Sequence, residues 1–356
     1  MQTKVAFSAK RLLLTLLLCS CSVILLQSFD LSPRAGFLFH LICTAVGLAV
    51  SFLFFIPSVV IRVRTGFDFP TLVHRESPRL SPFIAVFYGA YFVYTAVFFL
   101  LPYTDMFCKK YFPETSPCFV AALLLISCVY AAAKGTNVIT RFGIFLFVFA
   151  LIANVLMMGG SVSSLSFGSG VVLNGTADEL FRGALYFVTP AFIAVIFGFL
   201  SGFTKNFRLR QVVLTLILTG VKYAAIMFFV CFALGAYAYR QEYQTFVLSR
   251  VAHFGIYSGI ESVYLALTTM SVFLIVSLFL CCVGKSVGQS GVPKHIICFA
   301  AVIFTLHTCA VYLRPVSELL TDTAVMVGFT FIAAVVVPCA YLIFGRVRLD
   351  KKAVGA

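Results

Sequence analysis

The amino-acid sequence predicts an all-α polytopic membrane protein, one transmembrane domain over 1–356 with about ten spanning helices. Three observations carry this. Hydrophobic residues fill 62% of the 356 positions and charged residues only 11%, with a mean hydropathy of +1.07. A water-soluble domain of this length needs more polar cover than 26 basic and 12 acidic side chains supply. The apolar stretches run for about 16 to 27 residues without alternating. That suits helices, which need ~20 residues to cross a bilayer, and not barrel strands, which alternate over ~10. Finally, the basic residues are dispersed among short loops, as they are where charge sets topology.

The spans are expected at 11–28, 36–61, 83–107, 118–133, 139–158, 184–203, 212–238, 260–283, 296–313 and 324–344. In lipid each must satisfy its own backbone hydrogen bonds, which a helix does. Placing the N-terminus in the cytoplasm makes the loops alternate, and both termini then fall inside. The inner segments hold 18 Lys and Arg: Lys4, Lys10, Arg11, Arg62, Arg64, Arg75, Arg79, Lys134, Arg141, Lys205, Arg208, Arg210, Lys285, Lys294, Arg346, Arg348, Lys351 and Lys352. The outer segments hold seven, namely Arg34, Lys109, Lys110, Arg182, Arg240, Arg250 and Arg314. Removing or adding one helix would scramble this 18-to-7 bias. The same dispersal argues against nucleic acid as the partner of a chain with net charge +14, and makes the lipid bilayer the first partner.

Lys4, Lys10 and Arg11 followed by Leu12–Leu26 look like a signal peptide, but Gln27–Asp30 is a poor cleavage site. An uncleaved first span is expected. Most of the 12 cysteines lie in apolar runs, where Cys acts as a small hydrophobe. There is no C-x-x-C pair, so no zinc or redox site is expected. Cys108 and Cys118 share one outer loop, which leaves a disulfide open. Outer loop 159–183 is rich in Gly and Ser, and its Thr176 or Asp178 is placed to cap a short surface helix before the sixth span. Loop 239–259 holds Phe246, Val247, Val251 and Phe254 at the spacing of an interfacial helix.

No enzyme is expected. Gly284-Lys285-Ser286 ends like a phosphate-binding loop, but Phe279 stands where the earlier glycine belongs. Gly284–Gly288 also spells G-x-S-x-G, without the strand, turn and helix that motif requires. The five histidines lack ligand spacing, and no cofactor or metal is implied.

The informative residues are polar or helix-breaking ones inside spans. Lys222 lies about ten residues into the seventh span, ~15 Å deep, where a charge is costly and usually faces a cavity or a partner. Two readings stand: a site or gating cation in place of a metal ion, or a lysine that pairs with helix-end carbonyls or is neutral. Glu261 opens the eighth span, either against Lys222 or in the outer interface, favoured by the helix N-terminus. The first span holds Cys19-Ser20-Cys21-Ser22, and the sixth holds Thr189-Pro190, then Gly198 and Gly202. In transporters built as 5+5 inverted repeats, the first and sixth helices are broken and their free backbone groups bind substrate. Ser20, Cys21, Ser22, Thr189 and Pro190 are therefore candidate ligand-binding residues of such a transporter-like fold. The alternatives are a plain proline kink and close Gly198/Gly202 packing. Tyr91 and Tyr94 in the third span are placed to close over a ligand, or to be buried aromatics with one hydrogen bond.

The stretch YAAAKGTNVITRFGIFLFVFALIANVLMM (130–158) resembles the fourth and fifth helices of the endospore germination permeases, with Tyr130, Gly135 and Arg141 in the family's places. The stretch beginning GIESVYLALTTM (259–270) resembles their eighth helix, with Glu261 as the acidic residue. FSAKRLLLTLLL (7–18) and FPTLVH (69–74) resemble the family's start and the segment after its second helix. Two departures fall on the candidate site: Cys19–Ser22 replace a glycine-containing motif, and the region of Ile193 lacks an acidic residue. The resemblance implies a germinant receptor B subunit in the spore inner membrane, related to the amino acid–polyamine–organocation transporters. It also implies a small-molecule germinant, often an amino acid, and two partners: an A-type membrane subunit and a C-type lipoprotein. A secondary transporter of a similar solute, or a structural membrane subunit, are the competing readings.

Overall fold

In a computed structural model the described residues form ten helices long and apolar enough to cross a membrane. They are Ala9–Leu26, Phe37–Thr65, Ser81–Lys110, Pro117–Lys134, Thr136–Ser164, Ala177–Phe203, Leu209–Arg240, Glu261–Ser286, Lys294–Tyr312 and Thr323–Ile343. Below they are called the first to tenth spans. The structure describes residues 7–26, 36–167, 175–205, 207–254, 257–286 and 293–344. Lys4, Arg34, Asn174, Gly288, the weak cleavage site at Gln27–Asp30 and the basic C-terminal residues lie outside these.

Burial separates the spans into two classes. The first, third, sixth and eighth bury 83, 67, 94 and 78% of their most apolar stretch, and the other six bury 28–50%. Phe192–Leu200 of the sixth span (FIAVIFGFL) is buried at every residue. The outer six present Leu, Ile, Val and Phe to the surroundings, as a lipid-facing shell does.

The packing repeats with a step of five spans. The first span packs on the fifth and seventh, and the sixth packs on the tenth and second. The third packs on the ninth, and the eighth on the fourth. Exchanging each span for the one five places away maps these neighbours onto themselves. Five crossings reverse direction, so the two halves are oppositely oriented, the arrangement of an inverted repeat.

Small residues set the close approaches. A Cβ on Gly198 would come within 2.7 Å of Ser58 Oγ, and one on Gly202 would strike the Asp68 carboxylate. The close-packing reading of this glycine pair therefore holds. Gly135 joins the fourth and fifth spans with φ 91°, a conformation that favours glycine.

The sixth span is interrupted where the sequence suggested. Pro190 has no N–H to give to Tyr186, and Thr189–Ala191 tighten into a 3-10 turn before the helix resumes at Phe192. The first span is a correction: it runs as an unbroken α-helix from Ala9 to Leu26. Cys19–Ser22 contain no Gly or Pro to break it. The Ser20 hydroxyl and Cys21 thiol bond back to Leu17 O at 2.7 and 3.6 Å within the intact helix. π-helical turns interrupt the seventh span at Val230–Leu234 and the tenth at Ile332–Val336. Tyr88 Oη donates to Ala333 O in the latter at 2.6 Å.

The loops hold short helices. Thr176 caps the start of the sixth span in a reciprocal capping box with Glu179. This helix continues directly into the span and is not a separate surface element. The interfacial helix is Gln244–Val251, with Phe246 buried, and it stops before Phe254. Phe69–Glu76 and Arg314–Thr321 are further short helices. Cys108 and Cys118 are free thiols.

Candidate functional site

The first span is held by side chains from three others. Helices leave their last carbonyls without intrahelical partners, and here other spans supply donors. Tyr186 of the sixth span bonds Val23 O at 3.3 Å, and Thr245 bonds Ile24 O at 3.1 Å. Tyr264 of the eighth span bonds Leu25 O. Deeper in, Tyr223 of the seventh span bonds Ser20 O at 2.6 Å.

Lys222 joins the same cluster. Its Nζ donates to Ser20 Oγ at 2.8 Å and to Cys21 Sγ at 3.1 Å, and lies 4.8 Å from the centre of the Tyr223 ring. Thr219 Oγ1 is 3.5 Å from Ser20 Oγ. Among the described residues no carboxylate pairs with Lys222 within 4.0 Å. The structure thus brings Ser20, Cys21 and Lys222 together.

Glu261 is elsewhere. It pairs with Arg250 at 3.2 Å, both side chains well exposed, and its carbonyl accepts from Tyr111 Oη at 2.8 Å. Of its two readings, the surface one holds.

The remaining candidates surround the centre. Tyr91 Oη is 3.1 Å from Thr330 Oγ1 of the tenth span. Tyr94 packs its ring on Phe98 and Phe329. Its hydroxyl is buried without a hydrogen-bond partner, and so are those of Ser22, Thr189, Ser201, Ser271 and Ser277 among the described residues. All six lie on the four most buried spans, and Ser22, Tyr94, Thr189 and Ser271 represent one span each. Each of these four lies ten to thirteen residues from the start of its span, ~15–20 Å along the helix axis. Thr189 and Pro190 form the 3-10 turn that packs on the first span. Buried hydroxyls are normally paired, and an unpaired one costs ~1–3 kcal/mol. Ser22, Tyr94, Thr189 and Ser271 are together called the hydroxyl girdle below.

The end of the bundle that carries the N-terminus is tied across several spans. Phe7–Ser8 pair as a parallel strand with Thr204–Lys205 beyond the sixth span. Arg62 ties this segment to the second span, donating to Thr204 O at 3.0 Å and to Gly66 O. Asp68 caps the helix Phe69–Glu76 by accepting from Thr71 N at 3.0 Å. Its other oxygen is 3.7 Å from Lys285 Nζ. Lys285 also donates to Phe199 O at 2.9 Å and lies over the Phe203 ring.

Among the described residues, a cavity of about 610 Å³ lies at the opposite end, lined in part by Leu26, Phe98 and Leu101. Its wall carries Asp105, Lys109 and Glu242. Tyr243 Oη donates to Asp105 at 2.8 Å, and burial with the Asp105 charge pushes this phenol well above its ordinary value, so it remains a donor.

The residues that sequence reasoning passed over are Asp68, Asp105, Glu242 and Ser271, with the tyrosines that grip the first span. Tyr223 had a signal in standing next to Lys222. Asp68 and Lys285 are far apart in sequence, and nothing local links them.

The family model described as spore germination protein, of the spore permease type, matches residues 76–292, more than half of the chain. The chain belongs to this family. The match spans the third to eighth spans, and so includes Tyr94, Thr189, Lys222 and Ser271 of the site. It also takes in Tyr130, Gly135, Arg141 and Glu261, on which the resemblance rested. No curated protein matches the chain.

Proposed function

We propose that this chain is the membrane subunit of a spore germinant receptor. It lies in the spore inner membrane with both termini in the cytoplasm. It binds a small germinant, such as an amino acid, and signals to an A-type membrane subunit and a C-type lipoprotein. The observation that carries the reading is the girdle of unpaired hydroxyls, Ser22, Tyr94, Thr189 and Ser271, on the four central spans of a family member. Such groups favour a ligand that gives or accepts hydrogen bonds there. The cavity at the end away from the N-terminus suits entry from outside.

The test is germination of spores carrying Ser22→Ala or Thr189→Val. Each removes one hydroxyl with almost no change in volume. The expected result is a dose–response curve displaced to higher germinant, with normal abundance in the membrane. Wild-type curves in both variants would remove the girdle from the ligand site. The permease reading is separated by uptake into proteoliposomes: accumulation of solute inside would favour it over a receptor.

A further inference from the structure

The cavity at the end away from the N-terminus has a charge pattern of its own. Asp105 and Glu242 stand on its wall with one cation, Lys109, shared between them. Lys109 is 2.9 Å from Asp105 and 3.7 Å from Glu242, so Glu242 is the loosely held partner. The other cation of the lining, Arg314, is paired with Glu318 at 2.8 Å. Among the described lining residues one carboxylate is therefore in excess, in a chain whose net charge is +14. Tyr243 fixes Asp105 by donating to it at 2.8 Å. The volume, about 610 Å³, falls in the range of small-molecule sites, ~300–1,000 Å³. Leu26, Phe98 and Leu101 of the lining offer apolar contact to the remainder of such a molecule.

We propose that this cavity is a binding site for a small solute bearing a primary ammonium group, with Glu242 and Asp105 as its anionic pole. The ammonium takes the place beside Glu242 that Lys109 fills only at 3.7 Å. The site is distinct from the hydroxyl girdle: Phe98, in its lining, lies one turn beyond Tyr94 and packs against it. The inference deepens the receptor reading, on which it rests, by naming a first site of contact and the chemistry it selects.

The experiment uses the full chain in nanodiscs of zwitterionic lipid, so that cations do not gather on the bilayer. The probes are n-butylammonium and butanoate, and the readout is the ligand-induced shift in thermal unfolding, titrated to an apparent Kd. Butylammonium is expected to protect and butanoate not. Glu242→Gln is expected to weaken butylammonium about tenfold, the effect of losing one charged hydrogen bond. Lys109→Gln is expected to tighten it, because it frees both carboxylates. A purely structural role for Lys109 predicts no tightening. Added salt should weaken binding, since the charges are partly exposed. Equal protection by the two probes, unchanged affinity in Glu242→Gln, or weaker binding in Lys109→Gln would each overturn the proposal. Absent amine binding with a displaced germination curve in Ser22→Ala removes the vestibule site alone. Amine binding that depends on Glu242, with normal germination in every girdle variant, removes the girdle reading alone.

Discussion

Asp68 performs two tasks that substitution can separate. One oxygen caps the helix Phe69–Glu76, and the other faces Lys285. Asparagine caps as well as aspartate does, so Asp68→Asn keeps the cap and loses the charge, whereas Asp68→Ala loses both. The cap contributes ~1 kcal/mol. Removing one member of a buried ion pair costs ~3–5 kcal/mol, because the other charge is left uncompensated. Here the side chains are 4% and 16% exposed, so solvent screening is slight, but the 3.7 Å separation is longer than a hydrogen bond. Lys285 also keeps Phe199 O at 2.9 Å. We therefore expect Asp68→Asn to cost about 2 kcal/mol and Asp68→Ala about 3. In the double variant Asp68→Asn/Lys285→Met no charge remains, and about half of the loss should return. The assay is reversible unfolding in detergent micelles, read as a double-mutant cycle with the Lys285→Met single variant. Asp68→Asn within ~0.5 kcal/mol of wild type, or zero coupling in the cycle, would refute the argument that this pair ties the N-terminal end together.

Two further expectations rest on the same bookkeeping. Lys222→Met should change stability by less than ~1 kcal/mol, because an apolar residue of similar length relieves the cost of burying an ammonium while Ser20 keeps its bond to Leu17 O. If Lys222 serves the site, germination should fail in this variant at normal abundance; a large loss of stability would make the lysine structural. Glu261→Gln should shift stability by no more than ~0.5 kcal/mol, since its pair with Arg250 is exposed; a larger loss in a melting experiment would contradict the surface placement.

Much of the fold is written locally. Composition gives a lipid-solvated helical bundle, and Pro190 marks the interruption of the sixth span because a missing N–H acts within one turn. The first span misled for a related reason. Ser and Cys look like weak points, but their side chains can bond back to the preceding turn, and Ser20 and Cys21 do so. Lys222 stood out because a charge deep in a span must have partners. Which partners it has depends on the placement of the first span against the seventh, across 202 positions of sequence. Likewise, no periodicity relates Asp68 to Lys285, or Asp105 to Glu242. Each is an ordinary loop or helix-end residue until the bundle brings the ends of distant spans together. Tyr94 was legible as a buried tyrosine, but its lack of a partner follows from what the neighbouring spans do not offer.

Under the receptor reading, the energetics bear on how occupancy is transmitted. The end of the first span is held by hydroxyls of Tyr186, Thr245 and Tyr264, with Tyr223 one to two turns deeper. Each such bond nets ~1 kcal/mol, so the set is worth about as much as a millimolar ligand, ~4 kcal/mol. A ligand shifts an arrangement only by the difference in its affinity for the two states. A germinant seated on Ser22 and Thr189 touches the first span and the turn of the sixth, two elements that Tyr186 also joins. Its binding energy is thus commensurate with the bonds it would have to rearrange. The N-terminal end has a buried ion pair in addition to backbone strand pairing. Motion driven from the girdle is therefore expected first at the other end, around Leu25 and Leu26, where the cavity and the hydroxyl-held end of the first span meet.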